Sequence, residues 1–113
     1  MHVDIPGQGK VIGFYGPDAQ SMIHMEECAE LIQAISKMRR VREAGKDGSE
    51  AYENLVEEMA DVLICLEQLQ EMYEIPDHEL QSTVFRKVSR QEDRMYELDR
   101  KLFEGQSVHR LRC

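Results

Sequence analysis

Apolar side chains recur every three or four residues along most of the chain, which is the period of an amphipathic α-helix. Three segments carry this pattern, at about residues 17–44, 50–74 and 78–104. Pro17 opens the first segment, Gly45 follows it, and Pro76 separates the second from the third. Each break therefore falls at a residue that starts or stops helices. The chain is predicted to be all-α, with three long helices joined by short turns.

The apolar stripe of each predicted helix is wider than the contacts among three helices require. Its members in the three segments are Met22, Met25, Ala29, Ile32 and Met38; Leu55, Met59, Val62, Leu66 and Leu69; and Leu80, Val84, Val88, Met95 and Leu98. A single domain of 113 residues buries only about two-thirds of its unfolded surface. We therefore expect a helical bundle that is completed by oligomerisation, as a homodimer or a homotetramer.

The two ends of the chain lack the helical pattern. Residues 1–16 contain Pro6 and four glycines, which predicts an N-terminal arm or loop, with residues 11–15 as a short extended piece. Residues 17–105 form the predicted helical domain, and residues 106–113 are expected to fray as a tail.

The charge balance restricts the classes of partner. The formal net charge of −8, from 22 acidic and 14 basic residues, argues against a nucleic-acid partner, which needs a basic surface. No apolar run approaches the ~18 residues of a membrane span, and the N-terminus lacks the layout of a signal peptide. The three cysteines have no metal-ligand spacing, which indicates reduced thiols. We therefore expect a cytoplasmic protein that binds neither membrane nor nucleic acid.

Two acidic motifs interrupt apolar rows of neighbouring helices. The first is Glu-Glu-Cys-Ala-Glu at residues 26–30, and the second is Glu-Met-Ala-Asp at residues 58–61. Spacings of three and four place each set of carboxylates on one helix face, where like charges repel by a few tenths of a kcal/mol per pair. Glu58 stands in a row with Leu55 and Val62, so it faces inward with them. An inward-facing carboxylate is costly unless it is paired or bound to metal.

The ligand types indicate which metal the motifs would hold. A single Glu-x-x-Glu motif is usually a solvated face, but two such motifs on adjacent helices favour a metal site. Carboxylate oxygens suit hard cations such as Mg²⁺ or Mn²⁺. A di-iron site of the ferritin type would need Glu-x-x-His, and no glutamate here has a histidine three residues later.

This pair of motifs carries a resemblance to a known family. Glu-Glu-x-x-Glu followed at this distance by Glu-x-x-Asp resembles the MazG-like members of the all-α nucleoside triphosphate pyrophosphohydrolase superfamily, over residues from about 20 to 95. The resemblance implies hydrolysis of a nucleoside triphosphate between the α- and β-phosphorus atoms, giving a monophosphate and pyrophosphate. It implies Mg²⁺, with Mn²⁺ as a substitute, and metal ligands at Glu27, Glu30, Glu58 and Asp61. It also implies catalytic roles for Glu26 and Glu27, with Glu26 contacting a second metal or orienting the attacking water.

The third predicted helix adds to the resemblance. Its segment from Lys87 to Arg94 is similar to the Lys-x-x-x-Asn-x-x-Arg segment of the family, with Gln91 in place of the asparagine. The resemblance implies that Lys87, Gln91 and Arg94 bind the nucleotide substrate, with the two cations facing the phosphates.

Other functions fit the same motifs. Phosphoribosyl-ATP pyrophosphohydrolase of histidine biosynthesis is also short and carries similar acidic motifs, and a specialised dUTP or dCTP hydrolase is a further alternative. From a different class, the chain could be a helical scaffold or regulatory protein with a vestigial acidic site. Retention of all four metal-ligand positions argues against that last alternative.

Overall fold

The computed structural model describes residues 1–104 and contains four helices in this part of the chain. They are α1 (Gly9–Tyr15), α2 (Pro17–Glu43), α3 (Ser49–Met72) and α4 (Asp77–Phe103). No strand occurs among these residues, so the all-α prediction is confirmed. The three long helices match the predicted segments to within two residues at each end. The predicted tail at residues 106–113 lies outside the described residues.

The described residues divide into two compact units, residues 1–75 with α1, α2 and α3, and a second unit that begins at Pro76 and holds α4. Within residues 1–104, no helix has the length and hydropathy that crossing a membrane would require.

The prediction of a loop for the whole of residues 1–16, with an extended piece at residues 11–15, is wrong. Gly9–Tyr15 is helix α1, which contacts both α2 and α3. The backbone N–H of Gln8, just before α1, donates to Glu71 Oε1 at 3.0 Å, and Gln8 Oε1 accepts from Gln68 Nε2 at 3.1 Å. Glycines disfavour a helix by about 1 kcal/mol each, but these contacts with α3 outweigh that local preference.

The centre of the α2–α3 pair is small and partly polar. Its buried residues are Ala34, Ala51 and Cys65 among the apolar side chains, and Gln20, His24 and Gln68 among the polar ones. Alanine on both helices allows their backbones to approach closely. His24 and Gln68 make a buried hydrogen bond across the pair, with 2.7 Å between Nε2 and Oε1. This hydrogen bond joins a residue near the start of α2 to one near the end of α3, as expected for two antiparallel helices.

Large apolar side chains remain exposed on both long helices of the first unit. They include Met22, Met25, Ile32 and Ile35 on α2, and Val56, Met59, Ile64 and Leu66 on α3. Large exposed apolar patches often mark a surface that another chain covers. The expectation that further copies of the chain cover these faces stays a prediction.

Helices α2 and α3 end in the same hydrogen-bonding motif with different residues at its key position. After α2, Lys46 N–H donates to Val41 O at 3.1 Å, and Gly45 adopts φ +64°. After α3, Ile75 N–H donates to Gln70 O at 3.0 Å, and Glu74 adopts φ +53°. A left-handed residue at this position is easy for glycine and strained for glutamate.

Substitutions at these two positions should therefore change stability in opposite directions. We expect Glu74→Gly to raise the free energy of unfolding by about 1 kcal/mol, because it relieves the left-handed strain. Gly45→Ala should lower it by a similar amount. Urea unfolding of the two variants and the wild type measures both effects, and a loss of stability in Glu74→Gly would contradict the explanation.

Candidate functional site

Four carboxylates from α2 and α3 converge in the first unit. Glu27 and Glu30 come from α2, and Glu58 and Asp61 come from α3. Each contributes one oxygen atom to a group whose members all lie within 4.8 Å of one another. Ligand oxygens bind Mg²⁺ at about 2.0–2.1 Å, so opposite ligands of one ion are about 4 Å apart. The spacing of the four oxygens therefore fits a single hard cation between the two helices.

Two oxygens of this cluster are buried without a partner. Glu27 Oε2 and Glu58 Oε2 have essentially no solvent contact and accept no hydrogen bond. A buried carboxylate oxygen that is neither solvated nor paired destabilises the folded state. A cation between the helices would supply the missing interaction, so the donor set and its burial both fit a divalent metal.

The cluster also raises the pKa of its half-buried members. Burial raises the pKa of Glu27 above its ordinary value, and the neighbouring Asp61 and Glu30 raise it further. Burial likewise raises the pKa of Glu58, with Glu30 as the next cause. Burial and neighbouring negative charges are the causes expected where carboxylates lie close together without a counter-ion.

A buried thiol lies close to the cluster. Cys65 lies one turn after Asp61 on α3, and burial together with the charge of Glu27 raises the pKa of its thiol to about 11. Beyond it lies the hydrogen bond of His24 with Gln68. The thiol is therefore neutral at physiological pH.

The structure brings together all four residues predicted to bind metal. Glu26 is exposed on α2, one turn before Glu30, and is not one of the four converging residues. Lys87, Gln91 and Arg94 are exposed on α4, where spacings of four and three give them a common face. Their roles in catalysis and substrate binding stay predictions.

A groove of about 730 Å³, which was not predicted from the sequence, opens beside the cluster. Its polar lining consists mainly of Glu30, Gln33, Lys37, Arg40, Asn54 and Glu58. Lys37 and Arg40 follow Glu30 by seven and ten residues, about two and three helical turns. This spacing could have indicated from the sequence that Lys37 and Arg40 lie on the same side of α2 as Glu30. That a groove lies beside them follows only from the packing of α3 against α2.

The raised pKa values predict how the stability of the metal-free protein varies with pH. Between the unfolded-state pKa and the higher folded-state pKa, the folded protein binds more protons than the unfolded chain. Lowering the pH from neutral through the folded-state pKa of Glu27 should therefore remove a destabilising contribution. In EDTA, Glu27→Gln should be more stable than the wild type at pH 7.5, and the difference should shrink as the pH is lowered through the folded-state pKa of Glu27.

Chemical denaturation of the two proteins at each pH measures this difference. Glu53→Gln, which neutralises an exposed glutamate on α3, is the matched control and should show no such trend. A gap between wild type and Glu27→Gln that stays constant with pH would show that the carboxylates do not repel one another in the folded state.

Comparison with known proteins gives one match. The family model described as the MazG nucleotide pyrophosphohydrolase domain matches residues 17–95, which begins at the first residue of α2 and ends within α4. The matched region contains both acidic motifs and the Lys87–Arg94 segment. A search of curated proteins and a search of solved structures each found no significant match.

Proposed function

The chain belongs to the MazG nucleotide pyrophosphohydrolase family, and on this premise we propose that it hydrolyses nucleoside or deoxynucleoside triphosphates in a Mg²⁺-dependent reaction. The observation that carries the proposal is the group of four carboxylate oxygens within 4.8 Å, two of whose side chains keep a buried, unpartnered oxygen. In the reaction, a water oxygen bonds to the α-phosphorus, and the bond from that phosphorus to the bridging oxygen breaks. Nucleoside monophosphate and pyrophosphate leave, and the proton of the water passes to solvent.

The four converging residues, Glu27, Glu30, Glu58 and Asp61, would hold the metal. A bound divalent cation neutralises phosphate charge and lowers the pKa of a coordinated water. Mn²⁺ would serve as a substitute because it accepts the same oxygen ligands. Glu27, one oxygen of which is buried without a partner, is proposed to take part in catalysis as well as in metal binding. Glu26, which is exposed on α2, is proposed to orient the attacking water or to contact a second metal, as the family resemblance implies.

Substrate binding requires positive charge, because a protein of net charge −8 otherwise repels a triphosphate. Lys87 and Arg94 on α4 are proposed to contact phosphates, and Gln91 to contact the base or sugar, as the family resemblance implies. A second copy of the chain is proposed to cover the exposed apolar faces of α2 and α3, giving a homodimer or a homotetramer.

A substrate panel tests this function. Purified protein is incubated with the common ribo- and deoxyribonucleoside triphosphates, including dUTP and dCTP, and with phosphoribosyl-ATP. Each reaction is run with Mg²⁺, with Mn²⁺ and with EDTA, and pyrophosphate and monophosphate are measured separately. We expect equal amounts of the two products, only with metal. The ranking of substrates distinguishes the general activity from the specialised alternatives, and release of single phosphate in place of pyrophosphate would contradict the proposal.

A further inference from the structure

The groove beside the acidic cluster is lined by both acidic and basic side chains. Glu30 and Glu58, two of the proposed metal ligands, line one part of it, and Lys37 and Arg40 line another. Its volume of about 730 Å³ is within the range of small-molecule sites. We propose that Lys37 and Arg40 bind the phosphate chain of the substrate in this groove. This inference rests on the proposed function and names substrate contacts that the family resemblance did not supply.

The direction of side chains on a helix supports this placement. Lys37 and Arg40 lie about 10 Å and 15 Å beyond Glu30 along the axis of α2. Side chains of an α-helix tilt toward its N-terminus, so these two long side chains lean back toward Glu30. A phosphate chain that reaches the carboxylate-bound metal can therefore extend directly into their range.

The charges of the two residues are available for a ligand. Neither Lys37 nor Arg40 forms an ion pair within residues 1–104, whereas the neighbouring Arg39 lies 3.5 Å from Glu43. Basic residues near the C-terminus of a helix are common because they complement its dipole. That explanation applies equally to Arg42, which is outside the groove lining. Among the basic residues that the structure describes, Lys37 and Arg40 combine a position in the groove with a charge that forms no ion pair.

The chemistry of the lining suits phosphate recognition. The planar guanidinium of Arg40 can donate two parallel hydrogen bonds to phosphate oxygens, and the ammonium of Lys37 acts as a point charge. Gln33 and Asn54 add neutral amides to the same groove. Contacts of this kind recognise phosphate whatever the base, so inorganic pyrophosphate with Mg²⁺ should occupy the groove as well.

Isothermal titration of inorganic pyrophosphate in the presence of Mg²⁺ tests the inference without turnover. We expect Lys37→Gln and Arg40→Gln each to weaken binding about tenfold or more, because each removes charge-assisted hydrogen bonds. Arg42→Gln is the matched control, with the same loss of charge on the same helix end, and should bind within about twofold of wild type. Arg40→Lys should bind more tightly than Arg40→Gln but less tightly than the wild type, because lysine keeps the positive charge but cannot donate two parallel hydrogen bonds.

Kinetics with the best substrate of the panel give a second readout. A residue that only binds phosphate should raise KM and leave kcat nearly unchanged. The inference would be overturned if Arg42→Gln weakened binding as much as Lys37→Gln and Arg40→Gln, because long-range electrostatics would then explain all three effects. It would also be overturned if Lys37→Gln and Arg40→Gln bound pyrophosphate with wild-type affinity. Failure of the proposed function would be a different result, in which the wild-type protein releases pyrophosphate from no substrate. In that case the titration would still show whether Lys37 and Arg40 bind phosphate.

Discussion

Replacing Glu58 by glutamine should lower pyrophosphate release by at least about 100-fold in kcat/KM. Loss of residues that only support metal ligands typically reduces metal affinity or activity by 10–100-fold, and loss of a ligand should exceed this. Glu58 supplies one of the four converging oxygens and keeps a second oxygen buried and unpartnered. Glutamine has nearly the same shape but no charge, so the effect reports the carboxylate rather than the packing. Steady-state assays at several Mg²⁺ concentrations measure the loss.

Two comparisons make this result specific. Glu53→Gln removes an exposed carboxylate from the same helix and should retain wild-type activity. Higher Mg²⁺ should restore part of the activity of Glu58→Gln if weaker metal binding causes the loss. An active Glu58→Gln protein at low Mg²⁺ would show that the acidic cluster is not the catalytic centre.

The sequence was sufficient to predict the acidic cluster because its signal is local. Each motif needs only helical spacing to align its own carboxylates, and the position of Glu58 in an apolar row shows that it faces inward. Two inward-facing acidic motifs on consecutive antiparallel helices then have few ways to avoid each other. The three long helices were predictable for the same reason, since Pro17, Gly45 and Pro76 mark their limits.

Features that depend on contacts between distant segments were not predictable. Helix α1 contains glycine at positions 9 and 13, and local propensity alone favours a loop there. Its helical state depends on contacts such as the hydrogen bond of Gln8 with Glu71, 63 residues away. The groove beside Lys37 and Arg40 likewise exists only once α3 lies against α2. Spacing along one helix shows which residues share a face, but not whether that face is open.

The architecture of the α2–α3 pair connects stability with the proposed chemistry. Helices α2 and α3 pack against each other, with Ala34 and Ala51 buried and a hydrogen bond between His24 and Gln68. The four carboxylates lie within this pair and repel one another, so they oppose the same association. A cation between them would turn that repulsion into a cross-link between the two helices.

Mg²⁺ should therefore raise the melting temperature of the wild-type protein. A ligand that binds only the folded state stabilises it by about 2.7 kcal/mol at a concentration 100 times its dissociation constant. For a chain of this length, that free energy corresponds to an increase of about 10 °C. Differential scanning calorimetry in EDTA and across a Mg²⁺ series measures the shift, which should rise with the logarithm of concentration at high Mg²⁺.

NaCl and the variant Glu58→Gln show whether the increase in melting temperature comes from Mg²⁺ binding or from screening of the carboxylate charges. NaCl at equal ionic strength weakens repulsion among the carboxylates but cannot bridge them, so it should reproduce only a minor part of the shift. Glu58→Gln should melt higher than wild type in EDTA, because burial and Glu30 raise the pKa of Glu58 in the folded state, and it should respond weakly to Mg²⁺. The same substitution would then increase metal-free stability and lower activity, as expected of a site that holds like charges together in order to bind a cation. If NaCl and Mg²⁺ shifted the wild type equally, the carboxylates would be a solvated face and the scaffold alternative would gain support.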